Sequence, residues 1–181
     1  MKSAKAFLIG MYVHLILSIG VPITIFLIAS RGWNAPAIAL FSFYLLMVGA
    51  VHVLGWISAG LAVSAYYKRE YEKIWSGWRL LKLRSIPFYI VNFIYSFLVW
   101  FVLIGASRGI LVLLAPIPVI VTCSMVVQSG IYGICVILAL RKMPEYGGRP
   151  TAVHYVLQLM SVLDLISTVV ILKRYRIQNP S

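Results

Sequence analysis

The side chains that could do chemistry are few, and most of them fall in apolar surroundings. The chain has four acids. Glu70, Glu72 and Glu145 fall between apolar runs, and Asp164 lies inside one, over residues 152–172. A carboxylate at the middle of a membrane helix costs about 2.5–3.5 kcal/mol on insertion scales, so such a group faces a bundle interior or a wet cavity. Its segment carries a polar stripe to match. His154, Gln158, Ser161 and Thr168 follow at spacings of four, three and seven, within about 80° of arc on a helix, and Asp164 extends one edge.

Three further groups belong to the same reading. Counted from the basic end of each apolar run, His14 lies nine residues in, Gln128 and Asp164 twelve, and His52 fifteen. At 1.5 Å per residue these depths fall near the middle of a core about 30 Å thick. The expected ligand or proton site is therefore Asp164, His52, His14, Gln128, Gln158 and His154, with Asn92 shallower. The competing explanation is interhelical hydrogen bonding alone, which averages about 0.6 kcal/mol per bond in a membrane bundle.

Other chemistry lacks material. No Gly-x-Ser-x-Gly, His-Glu-x-x-His or Walker lysine loop occurs. Cys123 and Cys135 are twelve positions apart, about 18 Å along a helix, too far to pair with each other. Two Cys and three scattered His do not make a structural zinc set, so neither a metal nor a cofactor is expected.

A second functional candidate is the basic stretch 68–85. Trp75, Trp78 and Leu81 recur every third residue, while Lys68, Arg69, Lys73, Arg79, Lys82 and Arg84 supply charge. This pattern predicts a short amphipathic helix in the membrane interface, each basic residue attracted to anionic head groups by about 1 kcal/mol. Trp75, Trp78, Arg79, Lys82 and Arg84 are the expected lipid or partner contacts.

The elements that must carry these groups follow from the charge-free runs. The 181 residues are 62% apolar and 11% charged, against about 45–50% and about 25% in ordinary soluble domains. So short a soluble fold could not hide that much apolar surface. Ala6 to Ser30, Gly32 to Tyr67, Ser85 to Ser107 and Gly109 to Leu140 are uncharged over 25, 36, 23 and 32 residues. One crossing takes about 20 apolar residues, so each run crosses once, and neither long run can hold a hairpin. Only helices fit, because lipid cannot satisfy open strand backbone and ten-residue alternation is absent. The expected fold is a single all-α integral membrane domain of about five transmembrane helices over 6–30, 38–66, 86–107, 110–140 and 152–172, plus the interfacial helix.

Asn34, Pro36, Ser85, Pro87 and Pro150 mark helix starts, and Pro116 and Pro118 kink or delay the fourth crossing. Trp33, Tyr66, Tyr67, Phe88 and Tyr89 suit interfacial belts. Ser58 with Ala62, and Gly60 with Ser64, are small pairs that let a neighbouring helix approach. The first run is about twice a signal-peptide core in length and is read as a retained crossing.

The net charge of +12 reports orientation rather than nucleic-acid binding. With the N-terminus cytoplasmic, 11 of the 16 basic residues lie inside, and the outer connections hold only Arg31 and Arg108. Lys173, Arg174 and Arg176 are the exception if 152–172 crosses. A bundle with little extramembrane mass and a polar midplane suits a transport-related role in the plasma membrane, as a small carrier or as the membrane subunit of a larger transporter. No internal repeat is visible, which favours a subunit or a homo-oligomer. The alternatives are an intramembrane lipid-modifying enzyme using His and Asp164 for proton transfer, and a structural or regulatory membrane protein with no ligand.

Overall fold

The computed structural model describes residues 2–106, 116–142 and Thr168. The described residues are helical and contain no strand: α1 (Lys2–Ala29), α2 (Asn34–Tyr67), α3 (Tyr71–Arg84), α4 (Ile86–Ala106) and α5 (Pro116–Lys142). Three helices, at Lys2–Ile28, Asn34–Tyr67 and Val119–Lys142, are long and apolar enough to cross a membrane. The expected fifth crossing, 152–172, lies outside the described residues.

The turns explain how charge-free runs become separate helices. α1 closes with Trp33 N–H donating to the Ile28 carbonyl at 3.3 Å, which needs Gly32 at φ 78°. α2 closes in the same way: Glu70 N–H donates to Ala65 at 2.9 Å and Arg69 N–H to Tyr66 at 3.1 Å. Here the left-handed position, φ 58°, is held by Arg69, although glycine is the residue this motif favours. Glu70 then takes the cap position of α3 without a side-chain cap bond, and its carboxylate holds Lys73 in an ion pair of 2.9 Å. That hydrogen bond to Lys73 keeps the Glu70 carboxyl below its ordinary range. Asn34 was expected to cap α2. It is instead the first helical residue, and Trp33 takes the cap position without a side-chain bond.

Only Ser85 separates α3 from α4. Ser85 N–H still reaches the Leu81 carbonyl at 2.9 Å, and Tyr89 N–H reaches Ser85 at 3.0 Å. Pro87 has no N–H to give the Leu83 carbonyl, so the ladder breaks there. Pro22 does the same within α1, where it frees the Ser18 carbonyl. The hydroxyl of Tyr95, on α4, donates to that carbonyl. A backbone group exposed by proline is thus satisfied from another helix.

Pairwise contacts give the topology. Gly10 faces Val51 and Phe7 faces Gly55, so α1 and α2 run antiparallel. Gly55 meets Gln128, Ser58 meets Tyr132, and Lys142 Nζ lies 4.6 Å over the Tyr66 ring, so α2 and α5 run parallel. Tyr89 with Ser129 and Asn92 with Thr122 set α4 antiparallel to α5. α1, α2, α4 and α5 thus alternate in direction along the chain, with α3 between α2 and α4.

α5 is the central helix. Two thirds (67%) of its most apolar window is buried, against 11% for that of α2. The core joins Phe7 and Met11 of α1, Val51 of α2, Trp78 and Leu81 of α3, Phe88 of α4, and Met125, Tyr132 and Ile137 of α5. Elsewhere large apolar side chains face outward, including Phe41, Phe43 and Leu46 on α2. Phe93, Phe97 and Phe101 form an exposed ring ladder on α4, with centroids 6.5 and 4.7 Å apart. A surface this apolar is compatible with lipid and unfavourable in water.

Of the two small-residue pairs, Ser58 and Ala62 are buried in the bundle. Gly60 is open, with nothing from another helix within 4 Å of where a Cβ would stand.

Candidate polar core

α5 carries the polar side chains that tie the bundle together, on two faces. Thr122 and Ser129, seven apart, meet α4. Asn92 Nδ2 donates to Thr122 Oγ1 at 2.7 Å, and the Tyr89 and Ser129 hydroxyls bond at 3.1 Å. Gln128 and Tyr132, four apart, meet α2. Gln128 Nε2 donates to the His52 carbonyl at 3.3 Å, and Tyr132 bonds Ser58 at 2.9 Å. Spacings of four and seven keep each pair on one helical face.

Gln128 is fully buried because α2 offers a glycine opposite it. A Cβ on Gly55 would stand 2.0 Å from Gln128 Oε1 and 2.8 Å from Phe7 Cε2. The amide therefore occupies the volume of the missing side chain. Its Nε2 is used, whereas Oε1 has no hydrogen-bond partner among the described residues. Tyr132 is seated in a similar way, its ring 2.8 Å from a Cβ placed on Gly77 of α3.

The expected site residues separate into groups. Gln128 and His52 meet, through the His52 backbone. The His52 ring is turned into its own helix, its Nδ1 2.9 Å from the Val48 carbonyl. His14 is 6% exposed and stacks on Tyr44 at 6.1 Å, with Nδ1 buried and unpartnered among the described residues. Phe7 marks the level of Gln128, and His14 lies seven residues farther along α1, about 10 Å away. Asp164, Gln158 and His154 lie outside the described residues. Thr168, from the same stripe, is buried, and its hydroxyl has no partner among the described residues.

The helices that meet at Gln128 place it at different distances from their charged ends. Gln128 is twelve residues from the end of its apolar run, yet it packs against Phe7, two residues beyond Lys5. α2 and α5 both continue past the level of the α1 lysines, and α3 packs beside α5 there, its Gly77 against Tyr132. Gln128 thus lies near the start of α1 but twelve residues or more from the ends of α2 and its own apolar run.

The contact residues of α3 need a second correction. The amphipathic helix forms where expected, but its apolar face packs on α1, α2 and α5. Trp78 and Leu81 are 0% exposed and Lys82 is 4% exposed, so none of them faces outward. Trp75 is half-buried against Trp78, with ring centroids 5.1 Å apart. Arg79 and Arg84 are exposed. Amphipathicity identified the buried face of α3 without distinguishing lipid from protein as its cover.

Sequence reasoning missed Tyr132, Gly55 and the Tyr95–Ser18 bond. Thr122 and Ser129, at heptad spacing, were a usable signal. So was Pro22, which exposes the Ser18 carbonyl in mid-helix.

A helical bundle with three candidate membrane spans among the described residues, tied by hydroxyl and amide contacts to one central helix, is the class these features define. The chain belongs to the family of unknown function DUF6652, whose pattern matches residues 2–177. No curated protein and no solved structure matches it.

Proposed function

We propose that this protein is a multi-pass membrane protein with a transport-related role, acting as a small carrier or as the membrane subunit of a larger transporter. The carrying observation is that His14 Nδ1 and Gln128 Oε1 are buried without hydrogen-bond partners among the described residues of an apolar bundle. A buried polar atom without a partner costs about 1–3 kcal/mol, and native proteins keep few of them without a use. Polar groups inside a membrane bundle commonly line the path of an ion or solute. Asp164 is the ionisable partner that the sequence offers them, from an apolar segment carrying its own polar stripe.

In this reading the chain crosses the plasma membrane five times, over 6–30, 38–66, 86–107, 110–140 and 152–172, with its N-terminus and α3 cytoplasmic. Because no internal repeat is visible, it works as a homo-oligomer or beside a partner subunit. The test is flux into proteoliposomes of the purified full chain, read with an internal pH dye and a panel of labelled solutes. Flux that falls at least about tenfold in Asp164→Asn and His14→Asn, with insertion unchanged, is the expected result. No flux for the chain alone or with its copurifying partner would overturn the proposal.

One observation favours a second reading, a lipid-modifying enzyme. Gln128 lies at the level of Phe7, two residues beyond Lys5 at the basic start of α1. Lipid turnover in the same vesicles, followed by mass spectrometry, separates the two.

A further inference from the structure

We infer that Arg84, at the break between α3 and α4, binds the phosphate of an anionic phospholipid. The inference rests on the membrane reading above and is independent of transport. Its basis is the level at which this arginine stands. The Tyr12 hydroxyl donates to the Arg84 carbonyl at 2.7 Å. Tyr12 is seven residues beyond Lys5 on α1, about 10 Å, and a helical tyrosine leans back toward the N-terminus by about one turn at most. The Arg84 backbone therefore lies roughly 5–10 Å farther into the bundle than Lys5.

At that level the surface is apolar. Ile9, on α1 between Lys5 and Tyr12, is 63% exposed, and Leu83, next to Arg84, is exposed as well. Arg84 itself is exposed, and no carboxylate lies within 4 Å of it among the described residues, where Glu70 is taken by Lys73. An exposed guanidinium at the boundary between charged and apolar surface meets the head-group layer. Phosphate oxygens match its planar fork in a bidentate pair.

The position is fixed rather than adaptable. Trp78 and Leu81 hold α3 in the core, and Pro87 interrupts the helix just past the arginine. The residue is thus carried on a rigid element and not on a flexible loop. The occupant is a lipid, because the exposed apolar side chains at this level cover acyl chains as the guanidinium takes the phosphate.

Native mass spectrometry of the delipidated full chain in mild detergent tests this, with dioleoyl phosphatidylglycerol and dioleoyl phosphatidylcholine as probes. The expected result is preferential retention of phosphatidylglycerol, reduced about tenfold in Arg84→Gln and less in Arg84→Lys, which keeps charge without the fork. Arg31→Gln, in the turn at the opposite end of the bundle, should retain it as the parent does. A circular dichroism melt of each variant identifies misfolding, and Arg84→Lys then carries the comparison. Equal retention of both lipids, equal loss in Arg31→Gln, or full retention in Arg84→Gln would each overturn the inference. Displacement by millimolar inorganic phosphate would also overturn it, by showing a site for the free ion.

Discussion

At the scale of single residues, the bundle depends on fits between one missing atom and one added group. Gly55 is the sharpest case, since its absent Cβ is where the Gln128 carboxamide sits. Gly55→Ala should cost about 1–3 kcal/mol by overpacking, measured as thermal unfolding in detergent. Pairing it with Gln128→Ala should recover part of that loss, because the clashing amide is gone; strict additivity would mean that the two residues do not share the space. Tyr95 offers a second test of the same kind. Its hydroxyl serves a carbonyl that Pro22 leaves free. Tyr95→Phe should therefore cost about 1–3 kcal/mol in the parent but little in a Pro22→Ala background, where α1 can close its own ladder. Equal cost in both backgrounds would remove proline from the explanation.

At the scale of elements, charge-free runs located helices well, since water-loving charges cannot lie within a crossing and their gaps mark its limits. α1 and α2 begin and end within a few residues of the expected spans, α4 begins at the expected 86, and α5 ends two residues past the expected 140. The lateral arrangement was not legible, because which residues meet across helices depends on register, a property of pairs. Relative depth was not legible for a related reason. Counting from each charged end assumes that all helices enter at one plane, whereas α5 continues beside α3 below the level of Lys5. The end of α2 yields a prediction at this scale. Arg69 holds the left-handed position that Gly32 holds after α1. Arg69→Gly should raise stability by up to about 1 kcal/mol, since glycine pays no Cβ clash there but has more freedom to lose on folding. Gly32→Ala should lower it; a melting series of both variants checks the contrast.

At the scale of the whole molecule, the described basic residues other than Arg31 gather at one end, among them Lys2 and Lys5 on α1, Arg79 and Arg84 on α3, Arg141 and Lys142 on α5. Orientation by these charges predicts that Ser76→Cys, in a chain lacking Cys123 and Cys135, is labelled by an impermeant maleimide only after cells are opened. Labelling in intact cells would reverse the threading. The parallel pairing of α2 with α5 has a further consequence, in time. α1 and α2 are joined by a tight turn and can associate as soon as both have left the ribosome. Gln128 must reach a carbonyl 76 positions earlier in the chain, a contact of high sequence separation that forms late. During synthesis the nascent hairpin therefore waits with its Gly55 notch open to lipid. A small molecule or chaperone that recognises this notch would act on biogenesis and leave the finished protein untouched.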